Sequence, residues 1–95
     1  MTDIVQRWSN HLRRDRRRSV HTVRAYVATA ERLIGFLTLH YGGTPDLTCV
    51  EAADLRAYLA DRRGDGIGNV SAARELSAVR GFLKFAGGEG SVPRL

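Results

Sequence analysis

A chain of 95 residues makes one domain, able to bury roughly 60 to 68% of its unfolded surface but too short for a second core. No apolar run approaches the roughly 18 to 20 residues that cross a bilayer, and Met1-Thr2-Asp3-Ile4 opens no export leader, so a soluble, cytoplasmic protein without membrane contact is expected. One cysteine, Cys49, excludes an internal disulfide and is expected to be a small packing residue. The histidines His11, His21 and His40 have no metal-ligand spacing, so neither metal nor cofactor is expected.

Charge says more. Fifteen Lys+Arg against ten Asp+Glu give a formal net charge of +5, and all but one of the fifteen are arginine. Arginine's planar fork suits bidentate recognition of phosphate and guanine, which puts nucleic acid first among partners. A merely solvated arginine-rich surface is the bland alternative.

Four stretches show helical spacing and none shows strand alternation, so the expected class is all-α. The first, about Asp3 to Arg14, aligns Ile4, Val5, Trp8 and Leu12. It runs into Arg13-Arg14-Asp15-Arg16-Arg17-Arg18, a connector or charged surface. The second starts after Ser19, a good N-cap, and reaches about His40. Val20, Val23, Val27, Ala30, Ile34 and Leu37 form its apolar side, and His21, Thr22, Ala25, Thr29 and Arg32 face the other way. Tyr41-Gly42-Gly43-Thr44-Pro45 ends it.

The third helix is expected to open on Thr48-Cys49-Val50-Glu51, read as a capping box. Leu55, Tyr58 and Leu59 form its buried face, while Arg62 and Arg63 complement its C-terminal dipole. A glycine-rich loop, 64–69, tucks Ile67 inward, and Gly68, Asn69 or Ser71 caps the fourth helix, about Val70 to Ala86. Ala72, Leu76, Val79, Leu83 and Ala86 are its expected core, with Phe82 on the flank. Arg74, Ser77, Gly81 and Lys84 point outward, with Arg80 at the border. The glycine-rich tail has the composition of a linker.

Two helices thus offer polar or basic outer faces that would fit the roughly 12 Å major groove of B-DNA. The small residues Ala25, Ala28, Ala73 and Gly81 would let a helix approach DNA closely, and equally let another helix pack there. The pattern leaves both readings open.

Ser19-Val20-His21-Thr22-Val23-Arg24-Ala25-Tyr26 resembles the S-x-H-T-x-x-x-Y signature of Xer and phage-integrase tyrosine recombinases. The run Ala73-Arg74-Glu75-Leu76-Ser77-Ala78-Val79-Arg80-Gly81-Phe82-Leu83-Lys84-Phe85 is similar to that family's A-R-x-L-S-A-L-R-x-F-Y-x-F helix. Between them, Thr48 to Arg62 resembles the middle helix, so the likeness spans nearly the whole chain in order. It implies a four-helix, SAM-like core-binding domain over residues 1–87, one arm of a clamp around double-stranded DNA. Residues 88–95 would begin a linker to a C-terminal catalytic domain, with Leu95 read as an excision boundary. The resemblance places the second and fourth helices on DNA, which implies contacts from His21, Thr22, Ala25, Arg74, Ser77, Arg80 and Lys84.

The chain departs from the family pattern at Val20, where proline is common, at Gly68, where serine is usual, and at Glu75, which often has a basic counterpart. Glu75 lies towards the core edge and is excluded from the contacts. The resemblance also implies that the cutting tyrosine and its partners lie in the C-terminal domain. The isolated chain is therefore expected to have no catalytic residues, and Tyr26, Tyr41 and Tyr58 to serve packing. In the full-length parent the partners would be DNA and other recombinase protomers in a synaptic tetramer. The alternative from another class is a basic helical protein-interaction module. A stand-alone helix-turn-helix regulator is disfavoured, because the six-residue glycine loop exceeds the 3–4-residue turn such a motif uses.

Overall fold

Four helices follow one another: α1 (Thr2–Arg14), α2 (Val20–Tyr41), α3 (Ala52–Gly64) and α4 (Asn69–Gly87), with a short 3-10 turn at Glu89–Ser91. The computed structural model describes residues 2–14 and 18–94; Asp15, Arg16 and Arg17 of the arginine run, like Met1 and Leu95, lie outside the described residues. Among the described residues there is no strand, in keeping with the all-α expectation.

The longest helix, α2, packs against all three others, and its contact with α4 is the most extensive in the molecule. Ser19 caps it as expected, its Oγ accepting from the Thr22 backbone N–H at 3.2 Å. Gly42 ends it in the left-handed region (φ 79°), where glycine pays no Cβ penalty.

Because α2 has neighbours on several sides, its buried arc is wider than one stripe. Leu33, which the apolar stripe omitted, is fully buried, and so are Val23, Ala30 and Leu37. Val27 and Ile34 are only partly buried. Val20, expected in the core, is 60% exposed in the first turn of the helix. Thr29, assigned to the outer side, is buried, and its hydroxyl donates to the Ala25 carbonyl at 3.0 Å, which satisfies it without a tertiary partner.

The same correction applies to α4. Phe82, expected on the flank, is fully buried, while Leu76 and Ala86 are partly buried. The reason is α1, which brings Trp8 under α4 with its ring centroid 5.9 Å from Phe82 and 5.3 Å from Phe85. A Cβ on Gly81 would sit 3.4 Å from Trp8 Cη2, an ordinary van der Waals contact, so Gly81 lies against α1 rather than on an open outer face.

The start of α3 is displaced from the expected capping box. Asp46 takes both donors of Thr48, the backbone N–H at 2.9 Å and the hydroxyl at 2.6 Å. A carboxylate two residues upstream outcompetes the more distant partner. The N-cap is Glu51, whose backbone N–H donates to Asp54 Oδ2 at 2.9 Å. Cys49 is exposed rather than packed, its thiol donating to Asp46 Oδ2 at 3.4 Å, because it belongs to this turn. Gly68 is the N-cap of α4 and supplies no side-chain bond.

After α4 the chain folds back. Ser91 Oγ donates to the Gly87 carbonyl at 2.7 Å, and Val92 packs against the core. A Cβ at Gly87 would lie 2.5 Å from Ser91 Oγ and 3.1 Å from Thr48 Cγ2. Gly87→Ala should therefore displace the turn and cost about 1–2 kcal/mol, the overpacking cost less a small helix-propensity gain. Urea denaturation reads this directly; an unchanged midpoint would mean that the turn contributes nothing.

Candidate nucleic-acid interface

Helices α2 and α4 meet along a shallow groove of about 740 Å³. His21, Thr22 and Ala25 form one bank, Arg74 and Ser77 the other, so five of the seven residues expected at DNA come together. Their spacing explains this, since 21, 22, 25 and 74, 77 fall three or four residues apart on facing helices. Lys84 borders an adjoining groove of about 530 Å³ between α1, α2 and α4, and Ser77 lines both. Arg80 is exposed but borders neither groove.

Three further residues complete the face. Arg18 and Tyr26 line both grooves, and Arg32 closes the far end of the larger one. The stripe 18, 22, 25, 29, 32 has the helical period, so extending the outer-face reading upstream by one turn would have found Arg18. The buried Thr29 is the floor of this stripe, not a free donor.

The electrostatics are one-sided. Arg18, His21, Arg32 and Arg74 line the larger groove, and Glu75 is its one acid. That carboxylate is fully engaged. Arg62 Nε donates to Glu75 Oε1 at 2.9 Å and Arg62 Nη2 to Oε2 at 3.1 Å, and Tyr58 Oη donates to Oε1 at 2.8 Å. Arg32 Nη1 reaches Oε1 from the groove side at 3.2 Å. Burial by itself would raise the Glu75 pKa; the hydrogen bonds from Arg62 and Tyr58 and the charges of Arg62 and Arg32 overcome it and hold the carboxyl below its ordinary range. Arg74 and Lys84 make no ion pair among the described residues.

Acids collect elsewhere, on and around α3. There Asp54 accepts from Tyr41 Oη at 2.5 Å and meets His40 Nε2 at 3.1 Å. Among the described residues no group of three or more His, Cys, Asp or Glu is placed to hold a metal ion, and no helix is long and apolar enough to cross a membrane.

Fold and face together define a small all-α module with one basic flank built on two helices. The family model for the phage integrase N-terminal SAM-like domain matches residues 5–90. Tyrosine recombinase XerC of Mesorhizobium japonicum is 41% identical over 81 residues, covering 82% of this chain and 26% of the relative. The XerC proteins of Nitrobacter winogradskyi (37% over 89 residues; 90% of this chain, 28% of the relative) and Rhodospirillum centenum (37% over 87 residues; 88% and 26%) are similar. The chain spans about a quarter of the length of these curated relatives, and no solved structure matches it significantly. The chain belongs to the phage integrase N-terminal SAM-like domain family.

Proposed function

We propose that the α2–α4 face binds double-stranded DNA as the N-terminal arm of a tyrosine recombinase, clamping the duplex for strand exchange carried out by a separate catalytic domain. The observation that carries this reading is the groove itself, which gathers arginines from both helices around one carboxylate already neutralised by Arg62. Arg74 in this groove and Lys84 in the adjoining one neutralise phosphates, while His21, Thr22 and Ser77 offer hydrogen-bonding groups to base edges or sugar-phosphate. Ala25 keeps the bank of α2 low enough for close approach, and Arg80 serves as an outlying phosphate contact.

Residues 1–87 form the binding unit, and residues 88–95 begin the connection to the catalytic domain. Other protomers would join it in a synaptic tetramer. Tyr26 and Tyr58 suit packing, whereas Tyr41, expected to pack, is exposed and hydrogen-bonded to Asp54; none of the three suits attack on phosphate. Burial, then the bond to Glu75, pushes the Tyr58 hydroxyl up to about 12, and burial with the bond to Asp54 raises Tyr41 as well. A nucleophile needs the opposite shift.

A fluorescence-anisotropy titration with a short duplex at several salt concentrations tests the proposal. Binding should be saturable, in the range of about 10⁻⁴ to 10⁻⁶ M for this arm alone, and should weaken steeply with salt. R74A/K84A should weaken it at least about tenfold at low salt and flatten the log–log salt slope by about 1.8, two phosphates at roughly 0.9 each. Both side chains are exposed, so circular dichroism of the double variant should be unchanged. Absence of duplex binding at the lowest salt would transfer the face to an acidic protein partner.

A further inference from the structure

We infer that Arg18 is an additional phosphate-binding residue, held ready on the ring of Tyr26 where the two grooves meet; the inference rests on the duplex-binding reading above. Arg18 lines both grooves, so it stands between Arg74 and His21 on one side and Lys84 on the other. Its position is fixed from two directions. Its backbone N–H donates to the Leu12 carbonyl at the end of α1, 3.2 Å away, and its guanidinium carbon lies 4.9 Å from the Tyr26 ring centroid. Tyr26 in turn stacks on the buried Trp8. A long side chain that normally loses rotamer freedom on binding has therefore lost much of it beforehand.

Stacking engages the face of a guanidinium, whereas hydrogen bonding engages its edge, so the Tyr26 contact does not consume the N–H groups. Arg18 Nε and Trp8 Nε1 are buried donors without a hydrogen-bond partner among the described residues, and both side chains border the smaller groove. The one carboxylate lining the larger groove, Glu75, is taken by Arg62, Tyr58 and Arg32. With Nε turned inward, a guanidinium of fixed plane is left its terminal N–H groups to offer to the non-bridging oxygens of a phosphodiester. Arg18 thus puts a cation where the groove of Arg74 meets that of Lys84.

The test uses Arg18→Met, which keeps an aliphatic stem over Tyr26 and removes the charge, beside Arg18→Lys, which keeps the charge and loses the fork. Both go into the duplex titration across salt, alongside the parent chain and R74A/K84A. Arg18→Met should weaken binding about five- to tenfold at low salt and flatten the log–log slope by about 0.9, one phosphate. Arg18→Lys should keep the parent slope and weaken binding by about two- to threefold. If Arg18→Met retains the parent's affinity and slope while R74A/K84A loses both, the assignment of Arg18 is overturned and duplex binding stands. A slope lost equally in Arg18→Lys overturns it too, since charge would not be the cause. If the parent itself does not bind duplex, both readings fall together.

Discussion

Glu75→Ala should lower the unfolding free energy by about 2–4 kcal/mol, read from urea denaturation at neutral pH. The side chain of Glu75 is 12% exposed and that of Arg62 17%, so removing the carboxylate leaves a mostly buried guanidinium with only the solvent-exposed Asp65, 3.3 Å from its Nη1, as counter-charge, and the buried Tyr58 hydroxyl without its acceptor. The cost arises from those stranded partners more than from the lost attraction itself. Arg32 contributes little to it, because its side chain is 42% exposed and solvent screens the pair. Glu75→Gln should fall between the two, since an amide oxygen can still accept from Tyr58 but cannot balance Arg62.

The pH dependence has a defined sign. The Glu75 carboxyl is held below its ordinary value in the folded chain, so its stabilisation is fully present above the unfolded carboxylate pKa of about 4.3. It is lost as pH falls through the folded value, where the native state must take up a proton. The difference between parent and Glu75→Ala should therefore be constant near neutrality and shrink on acidification below about pH 4. A difference independent of pH down to the acid transition would mean that Arg62 is not bound to an ionised Glu75. Asp54 follows the same logic. Burial would raise its pKa, but hydrogen bonds from Tyr41, the Glu51 N–H and His40 keep it lowered.

The carboxylate that organises three helices was legible only as a residue near the core edge. Helical spacing places Glu75 on α4 but says nothing of Arg62, thirteen residues earlier on another helix, which needed no more than its own C-terminal dipole to be explained. Stops and starts read well where local chemistry decides them, as at Ser19 and Gly42. They read poorly where two local solutions compete, and Asp46 drew Thr48 away from the expected box. Helical wheels identified which side of α2 and α4 faces inward, yet not how wide that side is. Width depends on the number of helices packed against it, which is why Leu33 and Phe82 were underrated and Val20 overrated. Five of the seven expected contact residues share the larger groove because facing helices bring residues at spacings of three and four into line. Arg18 escaped because it precedes the helix, although it continues the spacing 22, 25, 29, 32 one turn upstream; its place in both grooves and its stack on Tyr26 show that it belongs to the face.

Trp8→Ala should cost about 3–5 kcal/mol. A 95-residue domain has roughly 5–14 kcal/mol to lose, so the variant should be marginally folded at 25 °C. Trp8 is 4% exposed and touches four rings, with centroids at 5.7 Å for His11, 6.4 Å for Tyr26, 5.9 Å for Phe82 and 5.3 Å for Phe85. Trp8→Phe should retain most of the stacking and lose about 1–2 kcal/mol through the unfilled volume. Circular dichroism during thermal and urea unfolding measures both without relying on tryptophan fluorescence. A Trp8→Ala midpoint close to the parent's would show that α1 is dispensable to the core. The expected order of alanine, phenylalanine and parent would instead make α1 the support on which Tyr26, and through it Arg18, is held against the α2–α4 face.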